Sequence, residues 1–325
     1  MKQLARIGID GYMLLLILTG TLGVVLPARG IAADVLGNVT FWAVTLLFFL
    51  YGAKLDAASV RAGMLNLKLQ GLTFLCTYLL FPVIGLLLVA IFGRVLGPEM
   101  AMGILFLSVL PSTVQSSIAF TSIAGGNVPA AICAASLSNL AGVVLTPLLV
   151  SKLLHLESGG GVSLEAVEKI GVQILLPFIL GQLMRPLIGT LVQRHRFLTM
   201  LVDRGSILLI VYAAFSSSTT SGLWADIPLA SMALSFGVVV VFLAVVMCST
   251  SLTARLSGMG RADEIVLFFC GSKKSLASGL PMATAIFPAA TLGATVLPLM
   301  MYHMLQLLVC SVIAQKLARR VARAG

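Results

Sequence analysis

Acidic side chains are scarce in this sequence. Its 325 residues include only 11 Asp and Glu, and none lies near the middle of an apolar run. This excludes the paired midplane carboxylates that metal-dependent prenyl transfer inside a membrane requires. The 3 histidines form no H-E-x-x-H pattern for zinc. Cysteine is also sparse: Cys76, Cys133, Cys248, Cys270 and Cys310 have no C-x-x-C spacing, so neither a disulfide framework nor a metal site is implied, and they read as small buried apolar residues. Gly271-Ser-Lys-Lys-Ser275 holds a Lys-Ser pair without the spacing of a phosphate loop, and no cofactor is expected. Charged residues make up 10% of the chain, against about 25% in a soluble domain. A soluble enzyme is excluded.

Apolar residues, at 59%, fill the chain instead. They form ten runs, with approximate limits 8–27, 38–54, 69–92, 100–124, 128–150, 166–189, 200–220, 228–249, 263–287 and 291–315. A helix of about 20 residues crosses the roughly 30 Å hydrocarbon core of a bilayer. The expected fold is therefore an all-α integral membrane protein of ten transmembrane helices. The longest connection, around Glu157-Ser-Gly-Gly-Gly161, is the natural seam between two five-helix repeats, 1–157 and 158–325.

Orientation follows the excess of Lys and Arg in cytoplasmic loops. Fifteen of the 21 basic residues fall on the side of the N-terminus, among them Lys2, Arg6, Lys54, Arg61 and Arg204. The other side holds Arg29, Arg94, Lys152 and Lys169. Both termini are thus expected in the cytoplasm, most naturally of a bacterial inner membrane. The net charge of +10 mostly reports this topology, and no nucleic-acid partner is implied.

The fourth and ninth runs each carry a polar interruption about ten residues in, or about 15 Å deep at 1.5 Å per residue. The fourth reads Leu110-Pro-Ser-Thr-Val-Gln-Ser-Ser117. Pro111 removes a backbone donor, and Ser112 and Thr113 are expected to cap a new helix after the break. The ninth reads Cys270-Gly-Ser-Lys-Lys-Ser275, where Gly271 permits unwinding and Ser272 is expected to cap the second half. Two matched breaks running in opposite directions are the signature of inverted repeats with a site at their interface.

At these residues the chain resembles the bile acid:sodium symporter superfamily. The shared features are Phe81-Pro82, Pro111 through Ser117, Gly126-Asn127-Val128, Leu145-Thr146-Pro147 and His303. Phe269 through Leu276, with Gly279 and Pro281, looks most like the branch of solute carrier family 10 member seven and its bacterial relatives. The resemblance implies broken, crossing fourth and ninth helices. It also implies a core bundle of helices 3–5 and 8–10 and a panel of helices 1–2 and 6–7. Carried over position by position, the fourth-helix sodium ligands fall on Ser116 and Ser117, with Gln115 one residue out of register. The fifth-helix ligands fall on Ala131 and Ala135, near Ser136, Ser138 and Asn139. The third-helix glutamine falls on Thr77, the ninth-helix glutamate on Phe269 and the ninth-helix glutamine on Lys273. The familiar sodium sites are largely absent.

An ionisable residue within a membrane is costly and reads by default as functional. The resemblance puts Lys273 at the former cation position and Lys274 at the crossing, where it is expected to meet substrate. Their candidate partners are Gln115, Ser116, Ser117 and unwound carbonyls, with Thr113, Ser272 and Ser275 close by. A second reading of either lysine is a clamp on the break. Burial disfavours the charged form of an amine, which makes Lys273 a candidate proton carrier, and His303 is a second titratable candidate. Two half-helix N-termini beside the ammonium groups favour an anion. Together these features point to a secondary active transporter that moves a small organic anion across the lipid bilayer by alternating access, with a proton or sodium as coupling ion. A sodium-coupled symporter and a non-transporting sensor with the transporter fold are the alternatives. No enzyme is expected, although a Ser-Lys dyad from Ser275 or Ser116 is conceivable.

Overall fold

The computed structural model describes residues 11–54, 66–158 and 171–324. Lys2, Arg6, Arg61, Lys169 and residues 159–161 of the expected seam lie outside the described residues. Among the described residues every regular element is helical. The first three helices are α1 (Gly11–Val25), α2 (Ile31–Lys54) and α3 (Leu67–Leu96). The fourth run forms α4 (Pro98–Val109) and α5 (Gln115–Ile123), followed by α6 (Val128–Ser158). Next come α7 (Leu176–Arg194), entered through a π turn at Gly171–Leu175, then α8 (Arg196–Thr220) and α9 (Leu229–Leu256). The ninth run forms α10 (Arg261–Gly271) and α11 (Leu276–Ile286), and α12 (Ala289–Ala324) ends the fold.

By length and composition α2, α3, α6, α7, α8, α9 and α12 can each cross a membrane, and α1 and α4 are shorter apolar helices. Large apolar side chains cover the outside; Leu187 is 78% exposed and Leu183 70%. A soluble protein does not tolerate so wide an apolar surface. This is the architecture of an integral membrane protein. Several helices outrun their apolar stretches. For example, α2 begins at Ile31 rather than 38, with Asp34 in its first turn, where a carboxylate complements the helix dipole. Hydropathy marks the part of a helix that lipid can accept, whereas hydrogen bonding carries the helix beyond it.

Lipid is as apolar as a protein core, so helix association rests on close packing and polar pairs. α7 lies along α2, and α8 lies against α1 and α12. Where α2 meets α7, Gly52 and Gly181 bring the two backbones into contact. A Cβ on Gly181 would overlap the Phe49 carbonyl, and one on Gly52 would overlap that of Phe178. Elsewhere α4 packs on α3 and α12, and α9 packs on α3 and α10. Phe81 of α3, Phe242 of α9 and Tyr302 of α12 form a buried three-ring cluster with centroids 5.5–6.1 Å apart.

At the end of α8 the serine- and threonine-rich residues 216–221 tie neighbours together. Ser216 Oγ accepts from Ala28 N–H at 2.7 Å, and Ser218 Oγ accepts from Gly293 N–H at 2.9 Å. Ser221 Oγ donates to the Ala290 carbonyl at 3.2 Å.

Candidate functional site

Both expected breaks are present, and they lie against each other. Ser275 N–H donates to the Pro111 carbonyl at 2.9 Å. Ser112 Oγ donates to the Cys270 carbonyl at 2.6 Å, and Ser117 Oγ to the Phe269 carbonyl at 3.2 Å. An unwound backbone at membrane depth survives only where the protein satisfies its polar groups. Here side chains from α6 and α12 do so. Thr146 Oγ1 donates to the Val109 carbonyl at 2.8 Å, and Asn139 Nδ2 to that of Ser112 at 2.7 Å. Tyr302 Oη donates to the Ser272 carbonyl at 2.9 Å. Gln306 brackets Lys274: its Oε1 accepts from the backbone N–H at 2.9 Å, and its Nε2 donates to the carbonyl at 2.8 Å.

The capping residues differ from the sequence expectation. α5 starts after Val114 with no side-chain cap. Thr113 Oγ1 instead pairs with the hydroxyls of Ser116 at 2.7 Å and Ser117 at 2.9 Å, while Ser112 reaches across to α10. The cap of α11 is Ser275, whose Oγ accepts from Ser278 N–H at 3.1 Å. Ser272 closes the end of α10, donating to the Phe268 carbonyl at 2.6 Å. Ser112 and Ser272 thus donate to backbone carbonyls of α10, and Thr113 pairs with hydroxyls of α5. Gly271 is the last residue of α10 and does not adopt a positive φ. Its missing side chain lets Cys76 and Thr250 pack close.

The two lysines are fully buried and have separate surroundings. Lys274 Nζ donates to the carbonyls of Thr77 at 2.8 Å, Ser108 at 2.8 Å and Leu110 at 2.6 Å, and stands 4.0 Å from the centre of the Phe81 ring. Local sequence accounts for these three free carbonyls. In α3 a π turn at Cys76–Leu80 sends the Phe81 N–H back to Cys76, and Pro82 has no N–H, so Thr77 keeps a bare carbonyl. Ser108 and Leu110 sit at the broken end of α4, and the N–H of Ser112 is turned to Ser138 Oγ. Lys273 Nζ donates to the Ser116 carbonyl at 2.9 Å and lies 4.1 Å and 5.1 Å from the ring centres of Phe120 and Phe269.

A cavity of about 620 Å³ adjoins the crossing. Thr113, Gln115, Ser116, Ser136, Asn139, Ser275 and His303 line it, whereas Thr77, Ser117, Ser272, Lys273 and Lys274 do not. The expectation that Lys274 meets substrate therefore differs from the geometry, because its ammonium is turned into the protein by the three carbonyls. The first turns of both α5 and α11 face the cavity. Ser278 Oγ donates to Asn139 Oδ1 at 2.7 Å, and His303 Nδ1 accepts from Gln306 Nε2 at 3.0 Å, the donor role following from the bracket that Gln306 makes around Lys274. Leu16, Phe48, Phe178 and Ile207 supply an apolar wall.

Sequence reasoning missed a charged group on the lining. Lys54 Nζ pairs with Asp203 Oδ2 at 2.6 Å, and the Arg204 guanidinium lies 4.9 Å from the centre of the Tyr12 ring. It also missed Gln306 and Tyr302. The signal for Gln306 was its place three residues after His303, on the same helix face.

Residues 10–319 match the model of the SBF-like CPA transporter family. The chain is 49% identical over 312 residues to an uncharacterized protein of Pseudomonas aeruginosa, covering 96% of this chain and 93% of the relative. It is 44% identical over 312 residues to YfeH of Escherichia coli (strain K12), named as a candidate symporter, covering 96% and 94%. It is 26% identical over 328 residues to sodium/bile acid cotransporter 7 of Danio rerio, covering 96% and 95%.

Proposed function

The chain belongs to the SBF-like CPA transporter family, within the bile acid:sodium symporter superfamily, and is a transporter and not an enzyme; from that premise we propose that it moves a small organic anion by alternating access without a sodium ion at the crossing. In this reading ten spans form two inverted repeats, 1–157 and 158–325, inserted in a bacterial inner membrane with both termini in the cytoplasm. A panel of the first, second, sixth and seventh spans rocks against a core of the third to fifth and eighth to tenth. The positions that the family resemblance gives to sodium ligands support the absence of sodium. Phe269 replaces an acid, Thr77 offers only its carbonyl, and a lysine ammonium stands beside each: Lys273 between Phe120 and Phe269, and Lys274 on Thr77.

One observation carries the reading of an organic anion. The cavity presents two helix N-termini and the basic residues Lys54 and Arg204 against a single carboxylate, that of Asp203, beside an apolar wall. Lys273 is the coupling candidate. Its ammonium has three donors and one hydrogen-bonded carbonyl, so losing a proton there disrupts less than at Lys274. The test is organic-anion uptake into proteoliposomes, with sodium and pH gradients imposed separately on wild type and Lys273→Ala. Uptake driven by pH, indifferent to sodium and lost in the variant is expected. Sodium-driven uptake, which the name of the Danio rerio relative suggests, would overturn the reading. Absence of any flux would favour a sensor that keeps the transporter fold.

A further inference from the structure

We propose that the ammonium of Lys274 is the permanent occupant of a monovalent-cation cage, so that this part of the crossing carries its cation on the chain and does not exchange one with solution. The cage is complete in number. An ammonium has three N–H donors, and all three are taken, by the carbonyls of Thr77, Ser108 and Leu110 at 2.6–2.8 Å. The Phe81 ring closes the remaining face at 4.0 Å, near enough for its π electrons to stabilise a cation.

The backbone creates these acceptors and leaves them without partners, as the π turn, Pro82 and the end of α4 dictate. A group of buried, unpaired carbonyls in a membrane is strongly unfavourable unless a cation or donor fills it. The chemistry of the cage selects its occupant. Its ligands are hard oxygens, which suit a hard cation. None carries a formal charge, so one positive charge is stabilised and two would be left uncompensated. The occupant is also held on both sides along the chain, because Gln306 pins the backbone N–H and carbonyl of Lys274. Lys273, with one carbonyl, has no such cage. This coordination is independent of what the protein transports.

Emptying the cage tests it. Lys274→Ala removes the equivalent of n-propylammonium and leaves room for that ion or for sodium. Lys274→Met removes the charge but keeps the volume. Melting temperatures in detergent are measured at constant ionic strength in choline, sodium and n-propylammonium chlorides. Wild type is expected to melt at the same temperature in all three. Lys274→Ala is expected to melt lower in choline and to regain several degrees, saturably, in sodium or n-propylammonium. Lys274→Met is expected to stay low in all three.

A Lys274→Ala protein that is folded and indifferent to both cations overturns the proposal, as does one as stable as wild type in choline. If Lys274→Ala folds only when produced with n-propylammonium, the proposal is supported. If neither variant folds under any condition, wild type decides: a saturable stabilisation by sodium shows an exchangeable site and overturns the idea, and indifference to sodium supports it. Absence of any anion uptake in the preceding experiment leaves these melting curves unchanged, so that outcome and a failure of the cage are distinguishable.

Discussion

Gln306→Leu should destabilise the protein far more than a single buried side chain suggests. Gln306 is fully buried, and its amide holds both backbone groups of Lys274 at 2.8–2.9 Å. Leucine has nearly the same volume, so little of the loss comes from a cavity. Two estimates compete. Interhelical polar pairs in a membrane average about 0.6 kcal/mol, because separated helices find other partners, and two such pairs come to about 1 kcal/mol. The unwound N–H and carbonyl of Lys274 have no helical alternative and belong to a fully buried residue. Each orphaned group then costs about 1–3 kcal/mol, roughly 2–6 kcal/mol for the pair. The larger figure should hold, because the backbone here cannot rewind past the contact between Ser275 and Pro111. At roughly 2 °C per kcal/mol for a large chain, the expected fall in melting temperature is about 4–12 °C. Heating aliquots in detergent and following the folded fraction by size-exclusion chromatography measures it. A fall of less than about 2 °C would show that the break relaxes around the lost amide and would refute the reasoning.

Gly181→Ala should split α2 from α7, since the added methyl meets the Phe49 backbone and not a side chain that can move. A loss of about 1–3 kcal/mol or more, visible as reduced monodisperse yield, is expected, whereas Gly205→Ala, which meets nothing within 4 Å, should be silent. The paired variant Ser218→Cys with Gly293→Cys should form a disulfide under mild oxidant. The Cβ of Ser218 lies 3.0 Å from where a Cβ on Gly293 would sit, and a small shift reaches the usual spacing of about 3.8 Å. Organic-anion uptake should fall on oxidation and return on reduction. Unchanged uptake with the bond formed would mean that α8 and α12 move as one body.

The helices were legible because apolar runs of membrane-spanning length are a strong signal, and the breaks because Pro111 and the polar residues around Gly271 interrupt two of those runs. Each of the seven long apolar helices and both broken pairs overlaps an expected run, and several extend beyond it. What escaped the sequence was the direction of side chains at the breaks. Ser112, Thr113 and Ser272 were natural caps by local rules, but each found another hydrogen-bond partner. The surroundings of Lys274 could not be read from its neighbours, because one carbonyl that binds it is freed by a π turn and a proline almost two hundred residues away and the other two by the broken end of α4. Lys54 and Arg204 looked like ordinary topogenic charges at span ends, and only packing brings them, with Asp203, to one cavity.

The separation between Lys274 and its acceptors bears on how the molecule is made. The carbonyls of Leu110, Ser108 and Thr77 precede it by 164, 166 and 197 residues. At a synthesis rate of about 5–20 residues per second, the broken fourth run is made roughly 10–30 s before the residue that will satisfy it. During that interval the newborn segment has neither a helical partner for these groups nor its eventual cation. It must wait at the edge of the insertion machinery, or sheltered by water or another protein, until the ninth run arrives. The crossing is therefore among the last features the nascent chain can complete. A ribosome that stops short of Lys274 leaves an unfinished product whose defect lies far upstream of the place where synthesis ended.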